Sequence, residues 1–225
     1  MNTILAWGIL PPLALIIYIW VLDRIEREPP GLIIKTMIFG ALSAFLAIAL
    51  ESVGEYILEY LELDGIVYLI VFNFLVVAGS EEFSKRLAMK LAVWKNPNFN
   101  FRFDAVVYSV ASALGFAAFE NILYMVSYGT EIALSRLIPT HSICGLFMGY
   151  YLGIAKTAEL DGDMRARSLY MKLSLIIPVL IHGFYDFCLS TEDDFLSLFV
   201  LGFIFILAIV SFGKLRKFAR SDRPV

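Results

Sequence analysis

The chain has 225 residues, of which 60% are hydrophobic and 17% are charged, and its mean hydropathy is +0.78. This composition excludes an ordinary soluble domain and predicts a polytopic membrane protein surrounded by lipid. The formal net charge of −3 says little about function, because in a membrane protein the positions of the charges matter more than their sum. We expect no nucleic-acid partner.

Seven apolar runs are long enough to cross about 30 Å of hydrocarbon as helices. In chain order they cover about residues 4–22, 32–50, 66–94, 104–128, 136–157, 170–190 and 195–213. The first run lacks a basic leader and an A-x-A-like cleavage site, so we expect a retained span rather than a cleaved signal peptide. Short connections and the absence of repeats predict one domain over residues 1–225, an all-α bundle of about seven transmembrane helices.

Basic residues alternate between successive connections, which predicts the orientation. Lys and Arg cluster after the first, third, fifth and seventh runs, whereas Arg136 is the only basic residue in the other connections. By the positive-inside rule, the amino terminus lies outside and the carboxyl terminus lies in the cytoplasm. The outer connections are acidic, from Glu51 to Asp64 and from Glu192 to Asp194, and we interpret them as a solvated rim. Cys144 and Cys188 lie in or at the end of apolar runs, which favours packed thiols over a disulfide.

Polar groups remain inside four of the predicted spans, where they are costly unless they face the bundle interior or a wet cavity. They are Glu81, Glu82, Lys85 and Arg86 on the third span, Glu120 and Asn121 on the fourth, His141 on the fifth, and His182 and Asp186 on the sixth. The third span would measure about 43 Å as a helix, longer than the hydrocarbon is thick. It therefore tilts or extends into the cytoplasm. If this helix is shifted toward the outer face of the membrane, Glu81 and Glu82 reach the depth of the histidines.

The spacing of these groups adds to the prediction. Glu81 and Lys85 stand at i and i+4 and therefore share one helix face. His182 and Asp186 have the same spacing, in which the carboxylate can orient the imidazole or both side chains can bind one ion. His141 begins a stripe with Gly145, Gly149 and Gly153, and we expect a neighbouring helix to pack closely there.

Carboxyls and imidazoles that converge in a low-dielectric cavity suit either hydrolysis or the handling of ions and protons. For peptide hydrolysis, one of Glu81 and Glu82 could take the proton of a water molecule while Asn121, His141 and His182 donate to the oxyanion. Alternatively, His141, His182 and one glutamate could bind Zn²⁺ with an open position for water. The H-E-x-x-H motif is absent and no serine is paired convincingly with a histidine.

Five ordered motifs resemble the PrsW family of intramembrane proteases, which make the first cut in membrane-anchored anti-sigma factors. They are LDRIEREPP, SEEFSKR, DAVVYSVASALGFAAFENILY, HSICGLFMGYYLGIAK and IHGFYDF, and together they cover most of the chain. The wider relationship is to CAAX prenyl proteases. The resemblance implies that Glu81 and Glu82 are the essential pair, that Glu120 with Asn121 forms the second motif, and that His141 and His182 are the family's histidines, with Asp186 beside the latter.

The resulting hypothesis is an intramembrane endopeptidase of a bacterial cell membrane that cuts a single-span regulator near the outer face. The catalytic candidates are Glu81, Glu82, Glu120, His141 and His182, and the supporting candidates are Lys85, Asn121 and Asp186. Glutamic and zinc-dependent mechanisms both remain open. The alternatives are a CAAX-type protease that acts on prenylated or other peptide tails, and a non-catalytic scaffold or ion-handling protein that uses the buried charges for packing.

Overall fold

Helices account for nearly all of the computed structural model, which describes residues 2–23, 25–129 and 139–225. In chain order they are α1 (Asn2–Leu22), α2 (Pro30–Tyr60), α3 (Gly65–Val71), a π-helical segment (Phe72–Val77), α4 (Ala78–Val93), α5 (Asp104–Tyr128), α6 (Thr140–Leu160), α7 (Met164–Ser190) and α8 (Asp194–Arg220). Because α3, the π-helical segment and α4 form one continuous rod, the described residues make seven rods. The predicted all-α membrane bundle is confirmed.

Five of the described helices are long and apolar enough to cross a membrane. They are Pro30–Tyr60, Gly65–Val93, Asp104–Tyr128, Met164–Ser190 and Asp194–Arg220. The described part of α1 contains a shorter apolar helix, Leu10–Leu22. The fifth predicted span corresponds to α6, whose first described helical residue is Thr140. The predicted outer residue Arg136 lies outside the described residues.

The centre of the bundle is α5, in which every residue from Asp104 to Ala117 is buried. The glycine stripe of α6 packs on this helix, as predicted. A Cβ added at Gly149 would collide with the backbone of Ala105 and Val106, and one added at Gly153 would collide with the backbone of Arg102. Only glycine therefore lets α6 approach α5 this closely.

A second close approach brings α2 against another face of α5. A Cβ at Gly40 would meet the backbone of Ser112, and one at Gly115 would meet the backbone of Met37. Large apolar side chains of α8, such as Phe205 and Ile206, are instead exposed. An exposed apolar surface of this kind suits contact with lipid. Within the core, Cys144 and Cys188 are buried free thiols, which confirms the sequence prediction.

The π-helical segment directly precedes the helix that carries the paired glutamates. Such segments occur mostly as short bulges within α-helices and frequently lie at functional sites. Within it, the side chain of Asn73 is buried and receives a hydrogen bond from Ser190 on α7 at 3.1 Å. Phe74 packs against Gly183, where an added Cβ would lie 2.7 Å from its ring. These contacts hold α7 beside the start of α4, next to His182.

Candidate active site

Glu81, Glu82 and Lys85 form a buried cluster on one face of α4. The Nζ atom of Lys85 lies 2.9 Å from Oε2 of Glu81 and 2.8 Å from Oε1 of Glu82, so one ammonium bridges both carboxylates. Lys85 is completely buried, and its Nζ lies 4.3 Å from the centre of the Phe116 ring. Removing three charges from water is costly, and this mutual pairing offsets part of that cost. The i,i+4 pair predicted between Glu81 and Lys85 is present.

His182 connects α7 to this cluster. Its Nδ1 atom lies 2.9 Å from Oε1 of Glu82, and its Nε2 atom lies 3.2 Å from Oδ2 of Asp186. Both ring nitrogens therefore face carboxylate oxygens, an arrangement that suits the imidazolium form, in which both nitrogens donate. Asp186 thus orients the ring, as the i,i+4 spacing indicates.

His141 lies on the other side of Lys85. Its Nδ1 atom is 3.0 Å from Nζ of Lys85, and its Nε2 atom is 2.7 Å from Oε2 of Glu120. An ammonium has no lone pair, so Nδ1 must accept and Nε2 carries the proton that is donated to Glu120. The rings of His141 and His182 are perpendicular, with centres 5.2 Å apart. Four helices therefore meet here, namely α4, the middle of α5, the first turn of α6, and α7.

A cavity of about 720 Å³ opens beside these groups. Its lining includes Glu81, Glu120, Asn121, His141, His182 and Asp186. Further lining residues are Glu55 near the end of α2, Tyr128 at the end of α5, Thr140 at the start of α6 and Ser190 at the end of α7. These four helix ends belong to the side of the bundle that the basic residues predict to be extracytoplasmic. The cavity therefore lies toward that side of the bundle.

The two glutamates differ in their access to the cavity. Glu81 lines it, whereas Glu82 and Lys85 do not, and Glu82 is completely buried. Oε2 of Glu82 is buried without a hydrogen-bond partner among the described residues. Glu81 is consequently the member of the pair placed to meet a water molecule or a substrate.

The structure brings together all eight predicted site residues, either in this polar network or in the cavity lining. Arg86 is not among them, because its guanidinium lies 3.9 Å from Sδ of Met171. Sequence reasoning missed two contributors. The sequence predicts that Glu51 and Glu55 belong to a solvated rim, but both line the cavity. Their i,i+4 spacing on α2 gave a signal that they share one face, although not that this face turns toward the histidines.

The donor atoms suit a metal ion. Glu81, Glu82, His141 and His182 each offer one ligand atom, and these four atoms lie within 4.8 Å of one another. Imidazole nitrogens and carboxylate oxygens are ordinary Zn²⁺ ligands, and the unpartnered Oε2 of Glu82 provides a further donor. The ammonium of Lys85 contacts three of these four side chains, so it competes with a cation for the same donors.

Comparison with known proteins finds relatives over most of the chain. Residues 28–212 match the sequence model of a family described as "PrsW family intramembrane metalloprotease". The chain is 34% identical to Protease PrsW of Oceanobacillus iheyensis over 224 residues, covering 96% of each chain. It is 32% identical to Protease PrsW of Bacillus subtilis, covering 98% of this chain and 97% of the relative. No solved structure matches the chain significantly.

The relatives match this chain over nearly its whole length. Protease PrsW of Halalkalibacterium halodurans is 30% identical over 99% of this chain and 100% of its own length. Together with the five long apolar helices, these relatives indicate a multi-pass bacterial membrane protein. The chain belongs to the PrsW family of intramembrane proteases.

Proposed function

We propose that this protease cuts a single-span membrane regulator, such as an anti-sigma factor, near the outer face of the bacterial cell membrane, and that Glu81 activates the attacking water. The observation that carries the proposal is the position of Glu81, at the wall of the cavity and 2.9 Å from the ammonium of Lys85. A carboxylate that faces a cavity of about 720 Å³ can contact both a water molecule and a peptide bond.

The proposed reaction begins when Glu81 takes a proton from water as the water oxygen bonds to the carbonyl carbon of the substrate. Asn121 lines the same cavity, and its side-chain amide supplies a hydrogen-bond donor for the developing oxyanion. The carbon–nitrogen bond then breaks, and Glu81 returns the proton to the leaving amine. Water is consumed, and the products are a carboxyl group and an amine.

The remaining members of the cluster position these groups. Lys85 fixes the carboxylate of Glu81, Glu120 sets the tautomer of His141, and Glu82 with Asp186 fixes the ring of His182 through the distances given above. Preorganised polar groups in a site shielded from bulk water act more strongly than the same groups in water. In this proposal Lys85 and Asp186 therefore position other groups, and Glu120, a catalytic candidate in the sequence prediction, acts through His141.

The same residues accommodate the zinc-dependent version of the proposal. His141, His182 and Glu81 or Glu82 would bind the ion, which would supply a Lewis acid and lower the pKa of its bound water. In that version Lys85 must leave at least part of the donor set, because its ammonium contacts Glu81, Glu82 and His141. Both versions use the same cavity and therefore the same class of substrate.

The position of the cavity supports a cut near the outer face. Its lining includes residues at the ends of α2, α5 and α7, on the side opposite the basic segments. A substrate span that enters there presents the extracytoplasmic end of its helix. A CAAX-type activity would instead act on tails from the cytoplasmic side.

The test is cleavage of a fused single-span substrate by protein purified in detergent. The proposal expects Glu81→Gln to abolish cleavage, while Glu59→Gln, the same change at an exposed position of α2, leaves cleavage unchanged. Size-exclusion profiles and melting temperatures would show whether each variant remains folded. Folded Glu81→Gln protein that cuts at the wild-type rate would overturn the role of Glu81, and a cut mapped to the cytoplasmic end of the substrate would overturn the proposed location.

A further inference from the structure

Three carboxylates form a second buried cluster at the opposite end of the bundle from the cavity. Asp23 follows α1, Glu28 precedes α2, and Asp104 begins α5. Each offers one oxygen, and these oxygens lie within 4.8 Å of one another. None of the three residues is more than 2% exposed.

Two carboxylate oxygens in this cluster lack partners. Oδ2 of Asp23 and Oδ1 of Asp104 are buried and have no hydrogen-bond partner among the described residues. Of the other oxygens, Oδ2 of Asp104 accepts the backbone N–H groups of Asn100 and Phe101 at 2.9 and 2.6 Å, and Oε2 of Glu28 accepts from the hydroxyl of Tyr108. Buried polar atoms are normally satisfied, and unpaired carboxylate oxygens are among the costliest exceptions.

The ammonium of Lys156 attracts the carboxylate of Asp104 but forms no ion pair with it. The ion pairs between described residues leave out Asp23, Glu28 and Asp104. A further carboxylate, that of Asp222 in the carboxyl-terminal tail, adds to the repulsion at Asp23. The cluster therefore concentrates three carboxylates in a region of low dielectric, and no described lysine or arginine forms an ion pair with any of them.

We infer that Asp23, Glu28 and Asp104 bind a hard divalent cation, Mg²⁺ or Ca²⁺, at the end of the bundle opposite the protease site. The donor set consists of oxygen atoms alone, which these ions prefer, whereas a site with imidazole or thiolate ligands would favour Zn²⁺. Oδ2 of Asp23 provides a direct ligand without breaking an existing hydrogen bond. The carboxyls of Glu28 and Asp104 share a hydrogen bond, which a bound cation would replace.

The site would connect segments that are far apart in sequence. Asp23 and Glu28 belong to the α1–α2 connection, and Asp104 belongs to the first turn of α5. The carboxyl-terminal tail packs on the same region, since the N–H of Phe103 donates to Asp222 at 2.9 Å and the N–H of Arg102 donates to the carbonyl of Arg223 at 3.0 Å. A bound cation would therefore stabilise the packing of α1 and α2 against the start of α5.

Burial has a further consequence when no cation is bound. It raises the pKa of Asp23 and of Glu28 to about 7, with repulsion from neighbouring carboxylates adding to the effect on each. A proton shared among the carboxyls is thus the competing way to neutralise the cluster, and the two explanations differ in their response to metal ions.

The experiment measures binding of Mg²⁺ and of Ca²⁺ to the purified, chelator-treated full chain by calorimetry and by melting temperature at fixed ionic strength. The inference expects saturable binding of about one ion per chain and a rise in melting temperature. Asp23→Asn should weaken binding at least 10-fold. Because asparagine keeps an oxygen to accept from the backbone of Glu28, this variant should remain folded.

Two controls separate this site from other acidic groups. Glu82→Gln changes the other candidate metal cluster, and Asp64→Asn changes an exposed carboxylate at the start of α3. Both should bind the ion as the wild type does. Absence of saturable binding of either ion at millimolar concentration would overturn the inference in favour of a shared proton. Binding that Glu82→Gln removes and Asp23→Asn retains would also overturn it.

Discussion

Lys85 and His141, on different helices, meet through nitrogen atoms 3.0 Å apart. Because the ammonium can only donate, this contact places the imidazole proton on Nε2, which faces Glu120. Lys85 thus bridges the two glutamates and also sets the tautomer of a histidine that lines the cavity. This double role makes it the residue whose removal should disturb the site most widely.

Replacement of Lys85 by methionine should abolish cleavage and destabilise the protein. The apolar chain keeps most of the volume, but it leaves Glu81 and Glu82 buried without the ammonium that neutralises them. Losing one partner of a buried ion pair typically costs about 3–5 kcal/mol. Cleavage assays and unfolding in denaturant would measure both effects. Full activity and unchanged stability would contradict the bridging role of Lys85.

Replacement of Glu120 by glutamine should slow cleavage by about 10-fold with little change in KM, in the range expected when a residue that orients another is removed. The Nε2–H group of His141 would then donate to a neutral amide oxygen instead of a carboxylate, which weakens the bond. Nitrogen NMR of labelled histidine would report the tautomer in both proteins. An Nδ1–H tautomer in the wild type would contradict the geometry assigned to His141.

Replacement of Gly149 by alanine should destabilise the bundle by about 1–3 kcal/mol, because overpacking forces the surrounding structure to shift. The new methyl group would collide with the backbone of Ala105 and Val106, which cannot move as a flexible side chain can. Gly202 on α8 is the matched control, since a Cβ there meets no atom within 4 Å. Equal melting temperatures for the two alanine variants would argue against the close approach of α6 and α5.

Metal dependence distinguishes the two versions of the mechanism. If zinc takes part, metal analysis of the purified enzyme should find about one equivalent per chain, and chelators should inhibit cleavage. Replacing His141 or His182 by alanine should then lower the bound zinc as well as the activity. Full activity in the presence of chelator, with no bound metal, would eliminate the zinc version and leave Glu81 as the unaided base.

The predicted orientation can be tested with single cysteines introduced into protein whose buried Cys144 and Cys188 have been changed to serine. A cysteine at Asp64 should react with a membrane-impermeant maleimide added to whole cells, because the positive-inside rule places this connection outside. A cysteine at Arg220 should react only after the cells are opened. The reverse pattern would place the cavity on the cytoplasmic side and favour a CAAX-type substrate.

Membership of the bundle class could be predicted from the sequence because it depends on local composition. Long apolar runs must become helices in lipid, where every backbone N–H and C=O group needs an internal partner. The predicted run at 66–94 corresponds to the observed rod Gly65–Val93, and the run at 104–128 coincides with α5. The i,i+4 pairs of Glu81 with Lys85 and of His182 with Asp186 follow from helical geometry, and both are present.

The sequence alone determined which helices form and which polar groups must face the bundle interior rather than lipid. Both depend on helical periodicity and on the cost of burying charge, which act within a few residues. Only the tertiary structure decided that Glu81 rather than Glu82 faces the cavity, that Lys85 reaches His141, and that Asp104 lies beside Asp23 and Glu28. These relationships depend on how helices rotate and slide against one another. The close contacts at glycines and the π-helical segment fix the relative positions of the helices, and these contacts join residues far apart in the chain.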